Sequence, residues 1–206
     1  CIRDRLMSIG LWVRGARPKT LVTSIASVMV GAVMAYVHIE RSGTCIAIYP
    51  EPASCATARE QQTLLMDRFW PVTILCLLVA LFLQIAVNYA NDYSDGIRGT
   101  DAGRDTDESK SGKPQRLTAS GLVPAKHVLF AAMICAAIAC ICGVVAVVLA
   151  QAWWLLAVGV ASLLAGWFYT GGKHPYGYVG LGEVGVFLFF GLAAVLGTEY
   201  ALCGTC

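Results

Sequence analysis

Charge is scarce in this chain. Asp, Glu, Lys and Arg make up 14% of its 206 residues, where an ordinary soluble domain carries about 25%. Histidine is scarcer, with 3 residues. No two CxxC pairs with histidine at ligand spacing occur, so the pattern of a zinc finger is absent. Cys203-Gly-Thr-Cys206 has the spacing of half such a site and no second half, a weak metal signal. The formal net charge of +2 is too small to hold a polyanion, so no nucleic-acid partner is expected. The first apolar run does not read as a signal peptide, because it starts late and basic residues lead into it.

What is present is apolar. Hydrophobic residues make up 57% of the chain. Five runs, near 20–39, 70–90, 127–150, 152–170 and 181–202, approach the length of about 20 residues that crosses a bilayer. The expected fold is therefore all-α, a polytopic transmembrane helical bundle whose constant partner is the lipid bilayer. Residues 1–19 read as a basic amphipathic lead with Trp12 and Val13 at the interface, and Pro18 as a first-turn proline of the first span. Residues 40–68, with Pro50 and Pro52, read as a loop on one side, and Gln151 begins a short turn on that side. Loops 96–119 and 171–180 fall on the other. A chain that begins at Cys1 and stops just after a span is expected to be the N-terminal portion of a longer membrane domain.

The basic residues fix an orientation. Arg3, Arg5, Arg14, Arg17 and Lys19 precede the first span. Arg98, Arg104, Lys110, Lys113, Arg116 and Lys126 lie between the second and third, and Lys173 between the fourth and fifth. The other side holds Arg41, Arg59 and Arg68. The positive-inside rule then predicts a multi-pass protein of the cell membrane, with its N-terminus and loop 96–119 cytoplasmic. Cys76, Cys135, Cys140 and Cys142 fall inside spans and read as small apolar residues. Cys45, Cys55, Cys203 and Cys206 fall on the outer side, where a disulfide is compatible with the compartment and its pairing is not readable.

One stretch breaks the apolar pattern: Asn91-Asp92-Tyr93-Ser94-Asp95-Gly96-Ile97-Arg98-Gly99-Thr100-Asp101. Acids cost about 2.5–3.5 kcal/mol each at the centre of a membrane helix. Three at the mouth of one call for a reason, and a divalent cation supplies it. Mg²⁺ prefers carboxylate oxygens and shares its shell with substrate phosphates. Gln84, Asn88, Asn91, Asp92 and Asp95 recur every three to four residues, which places them on one helix face. Amides in such a stripe also serve as hydrogen-bonding seams between membrane helices, and that reading suits Gln84. Asp92, Asp95 and Asp101 are the expected metal ligands. Arg98 and Arg116 are candidate clamps for a diphosphate. The second polar loop adds Tyr169, Lys173, His174, Tyr176, Tyr178 and the boundary acid Glu183.

Two other classes share part of this pattern. Asp92-Tyr93-Ser94-Asp95-Gly96 matches the D-x-x-D-G start of the CDP-alcohol phosphatidyltransferases, but Gly99 and Thr100 stand where Ala-Arg should follow. A cation transporter would need charges on several spans, whereas these acids sit at one edge.

The motifs jointly resemble the UbiA superfamily of intramembrane prenyltransferases. The likeness lies in Asn91-Asp92-x-x-Asp95 with Asp101, Ala16-Arg17-Pro18-Lys19-Thr20-Leu21, Arg116-Leu117-Thr118-x-x-Gly121, Tyr169-Thr170-Gly171-Gly172 and Gly180-Leu181-Gly182-Glu183. Within the family the nearest likeness is to the branch that prenylates 1,4-dihydroxy-2-naphthoate in menaquinone synthesis; another aromatic acceptor is the alternative. The resemblance implies a bundle of about nine spans with two Asp-rich motifs, of which this chain carries the first five spans. It also implies Mg²⁺ as cofactor, and polyprenyl diphosphate and dihydroxynaphthoate as substrates. Asp92, Asp95, Tyr169 and Lys173 are then expected in catalysis. Asn88, Lys19, Arg98, Arg116 and Glu183 are expected to bind substrate.

Overall fold

In hydrocarbon a chain must close its own backbone hydrogen bonds, and a helix does so within one segment. The computed structural model describes residues 9–42, 52–98, 117–118, 121, 123–171 and 175–204. Among the described residues every regular element is helical: α1 (Ile9–Gly15), α2 (Pro18–Ser42), α3 (Pro52–Arg98), α4 (Ala125–Ala150) and α5 (Leu155–Thr170). A 3₁₀ turn (Tyr176–Val179) leads into a final rod of three parts: α6 (Gly182–Val186), a π-helical segment (Phe187–Ala193) and α7 (Ala194–Cys203). Pro18–Arg41, Arg59–Arg98, Ala125–Ala150 and Gly182–Cys203 are long and apolar enough to cross a membrane. The expected multi-pass helical bundle is what forms.

Two boundaries differ from expectation. The run expected to span 152–170 starts as a helix only at Leu155, because Gln151 takes a left-handed conformation (φ 56°) and closes α4. Its 16 residues rise about 24 Å, short of the roughly 30 Å hydrocarbon core. The segment 52–68, expected within a loop, is instead the first part of α3. Arg59, Glu60, Gln61 and Gln62 are good helix formers, and Pro52 suits a first helical turn. Their polarity marks where the membrane ends, not where the helix ends.

α3 packs along α4, and α2 packs along the final rod and along α3. Two apolar clusters form. One, at the Asp92 end, joins Ala16, Tyr89, Leu117, Val123, Val128 and Ala132. The other, at the Leu202 end, joins Ile39, Phe69, Val72, Ala150 and Leu202. At that end the Arg68 guanidinium donates to the carbonyls of Leu149 and Ala150 at 3.5 and 3.3 Å. These are orphan acceptors of the α4 C-terminus, where a cation is favoured.

Small residues let α2 and α7 approach closely. A Cβ at Gly31 would press into the Val195 carbonyl and onto the Thr198 side chain. Backbone cannot yield as a side-chain tip can. Gly31→Ala is therefore expected to lower stability by about 1–3 kcal/mol. The check is the midpoint of thermal unfolding in detergent; an unchanged midpoint would refute the close packing of α2 on α7.

Candidate active site

The Asp-rich end is built from the bottom of α3. Asp92 is 2% exposed. Its carboxylate oxygens accept the backbone N–H groups of Leu117 and Thr118, each at 2.9 Å. The turn they anchor is closed by Gly121 N–H to Thr118 O and Val123 N–H to Leu117 O. Gly121 supplies the left-handed φ of 67° that the turn requires. Leu117, fully buried, plugs the turn onto Ala16 and Tyr89. A Cβ at Gly15 would collide with the Leu117 side chain, so α1 is held close as well. Trp12, expected at the membrane interface, lies edge-on to Tyr89 at 5.7 Å and takes the Tyr89 hydroxyl on its carbonyl.

One turn higher, the amides of the stripe form a seam between α2 and α3. Ser24 donates to Gln84 Oε1 at 3.0 Å, and Gln84 Nε2 to Asn88 Oδ1 at 3.2 Å. Asn88 Nδ2 donates to Ala16 O at 2.8 Å and to Thr20 Oγ1 at 2.9 Å. Thr20 in turn donates to Arg17 O at 2.9 Å. The seam thus grips the break between α1 and α2 from both sides. Arg17 sits in that break at φ 53°. This region costs a non-glycine residue about 1–2 kcal/mol, and such strain collects at functional positions.

Arg17 lines a cavity of about 420 Å³, whose wall also holds Asn88, Asn91, Tyr169 and Tyr176. Tyr169 and Tyr176 meet edge to face at 5.6 Å, and Tyr176 donates to Ala165 O at 3.0 Å. Glycines make room for both rings: a Cβ at Gly177 or Gly182 would strike Tyr169, and one at Gly185 would strike Tyr176. Burial, with Tyr169 beside it, pushes the Tyr176 phenol above its ordinary value, so it stays a protonated donor. A second cavity of about 280 Å³ is lined by apolar side chains such as Val28, Val147 and Leu155. Leu83, Ser162, Phe189 and Phe190 line both cavities.

The expected site residues divide. Asn88 and Tyr169 reach the polar cavity, but the Asn88 amide is engaged in the seam. Asp92 faces the Leu117 turn and lies outside that cavity wall, which corrects the single-face reading. Neighbouring residues on a helix are about 100° apart, so Asn91 and Asp92 address different neighbours. Asp95 is half-buried, one turn beyond Asn91. Lys19, Arg98 and Glu183 are exposed and off the cavity wall. Asp101, Arg116, Lys173 and His174 lie outside the described residues. Arg17 was not among the named site residues. Its signals in the sequence are its place in the basic lead, in the Ala16-Arg17-Pro18-Lys19-Thr20-Leu21 motif, and before Pro18, where the α conformation is disfavoured.

The UbiA prenyltransferase family matches residues 64–205, more than half of the chain. The chain belongs to the UbiA prenyltransferase family. The 1,4-dihydroxy-2-naphthoate octaprenyltransferase of Mycobacterium tuberculosis is 42% identical over 195 residues, covering 95% of this chain and 55% of the relative. That of Mycobacterium leprae is 40% identical over 195 residues, covering 95% and 54%. That of Escherichia coli is 30% identical over 200 residues, covering 92% and 52%. The chain spans about half the length of the curated relatives it matches. No solved structure matches it. UbiA membership replaces the phosphatidyltransferase and transporter readings of the Asp motif.

Proposed function

We propose that the full-length protein transfers a polyprenyl group from polyprenyl diphosphate to 1,4-dihydroxy-2-naphthoate, releasing diphosphate and CO₂ and giving the hydroquinone demethylmenaquinol, whose separate two-electron oxidation yields demethylmenaquinone. The abutting cavities carry this reading. A polar chamber with an arginine and two tyrosines in its wall suits an ionic head. An apolar chamber that shares Phe189 and Phe190 with it suits a hydrocarbon tail. The choice of acceptor rests on the names of the relatives.

In this reading Arg17 forks onto the diphosphate. The allylic C–O bond breaks and its electron pair leaves with the diphosphate. The ring of the acceptor attacks C1 of the prenyl chain, and the carboxylate departs as CO₂. The Tyr169 face stabilises the developing allylic cation, with Tyr176 holding it in place. The apolar chamber keeps water from the cation. The donor set suits Mg²⁺, which takes one or two carboxylates plus substrate phosphates. Each Asp92 oxygen accepts one amide and keeps a second lone pair. Asp92, Asp95 and Asp101 would hold the ion. When bound, it neutralises the diphosphate and eases its departure. Arg98, Arg116 and Lys173 remain candidate contacts for the diphosphate. Lys19 and Glu183 remain candidate acceptor contacts, although both lie off the cavity wall.

Incubating the full-length protein with dihydroxynaphthoate and a polyprenyl diphosphate should give demethylmenaquinol, read as demethylmenaquinone after oxidation in air, with Mg²⁺ and none with a chelator. No product from folded protein would sink the assignment; equal product with chelator would sink the metal.

The basic asymmetry supports a cytoplasmic Asp-rich loop in the plasma membrane. A single cysteine at Ser109, in a Cys-free background, is expected to resist an impermeant thiol reagent on intact cells and to react after lysis. Strong labelling of intact cells would reverse the orientation.

A further inference from the structure

At the end of the bundle opposite Asp92, α2 and α7 bring together three different metal-ligating side chains. Glu199 and Cys203 are one turn apart on α7, which stacks them on one face. His38, near the end of α2, meets them across the helix pair. The imidazole nitrogen, a carboxylate oxygen and Sγ lie within 4.8 Å of one another. Glu199 is 6% exposed and Cys203 is 8% exposed, while His38 is exposed. A carboxylate this buried in a membrane-length helix is costly without a cationic counterpart. The nearby cation, Arg68, directs its Nη1 to the carbonyls of Leu149 and Ala150.

We propose that His38, Glu199 and Cys203 bind a Zn²⁺ ion that staples α2 to α7. The donor set is one nitrogen, one oxygen and one sulfur, which suits zinc and not magnesium. One thiolate and one carboxylate cancel the two positive charges, and the neutral imidazole adds none. A neutral centre is what a low-dielectric site tolerates. The thiol proton, which Cys203 directs to the Glu199 carbonyl at 3.0 Å, leaves to solvent as the Zn–S bond forms. A water molecule on the open His38 side completes a tetrahedron. The CxxC spacing of Cys203 with Cys206 carried little weight as a metal signal; the partners that give Cys203 a site are a turn back on α7 and on another helix. This site is independent of the proposed transfer reaction, because it lies at the other end of the bundle and uses softer donors than the carboxylates there.

The test uses full-length protein in detergent, with reductant and excess Mg²⁺, and Co²⁺ as a spectroscopic probe. One equivalent of Co²⁺ should give tetrahedral d–d bands and a thiolate-to-cobalt charge-transfer band, both erased by one equivalent of Zn²⁺. Cys203→Ser should abolish the charge-transfer band, and Cys76→Ser should keep it. His38→Ala changes an exposed residue and should leave prenyl transfer intact. It should still weaken Zn²⁺ binding at least about 100-fold, no less than the upper range for losing an outer-shell partner. Zn²⁺ should raise the unfolding midpoint of the wild type and not of His38→Ala. Absence of the charge-transfer band in reduced wild type would overturn the proposal. So would a band indifferent to both Cys203→Ser and His38→Ala, or a disulfide mapped to Cys203 in the protein as isolated.

Discussion

Asp92→Ala in the full-length protein is expected to lower both thermal stability and prenyl transfer, and Asp95→Ala is expected to lower transfer. The effect on stability comes from what the Asp92 carboxylate touches. Asp92 holds the Leu117 and Thr118 amides at 2.9 Å inside a buried turn. Hydrogen bonds to a charged group contribute about 1.5–3 kcal/mol each, and a buried amide left without a partner adds its own cost. Losing both is expected to cost about 3 kcal/mol or more. The turn carries Leu117, the plug beneath α1, so its loss loosens the floor on which Arg17 is set. Asp95 is half-buried, a turn beyond Asn91. Both variants are expected to lose at least ~100-fold in transfer, as when one stabilising contact to developing charge is removed. Asp92→Asn keeps one acceptor oxygen for one amide, so its stability should fall between wild type and Ala while transfer stays low. Unfolding midpoints and single-turnover rates measured on the same preparations separate the two roles. Wild-type turnover in Asp92→Ala would remove Asp92 from the metal site, and a wild-type midpoint would remove it from the turn.

Hydropathy made the long helices legible, because twenty apolar residues admit few structures in a bilayer. The stripe on α3 was legible as polar but not as two functions. Periodicity places Gln84, Asn88, Asn91 and Asp92 within one arc, and it does not say which neighbour each part of that arc meets. The seam partners Ala16, Thr20 and Ser24 come from another helix, so the grip of Asn88 on the α1–α2 break is a tertiary fact. The same holds for His38, whose partners lie far along the chain. Segment 52–68 misled for a different reason: hydropathy reports the solvent around a helix, and helix propensity continues past the membrane boundary. The glycines of the last polar loop were visible as residues, and the structure explains them by what they make room for. Those at 177, 182 and 185 leave space for Tyr169 and Tyr176.

Replacing Arg17 with glycine should separate strain from function. Arg17 sits at φ 53°, a conformation that glycine adopts freely. Removing the side chain relieves about 1–2 kcal/mol of strain, offset in part by the greater freedom of glycine in the unfolded chain. The unfolding midpoint should therefore hold or rise. Binding should move the other way. One charge-assisted contact to diphosphate, about 1.5–3 kcal/mol, corresponds to roughly a 10–150-fold increase in KM for the prenyl donor. Arg17→Lys keeps the charge, loses the planar fork and keeps the strain. Its KM should lie between wild type and glycine, with no gain in stability. A residue kept for packing alone would show a lower midpoint and an unchanged KM in Arg17→Gly, and that result would remove Arg17 from the site. Stability held while affinity falls would mean that the seam of Ser24, Gln84, Asn88 and Thr20 maintains a strained backbone in order to present a guanidinium to the polar cavity.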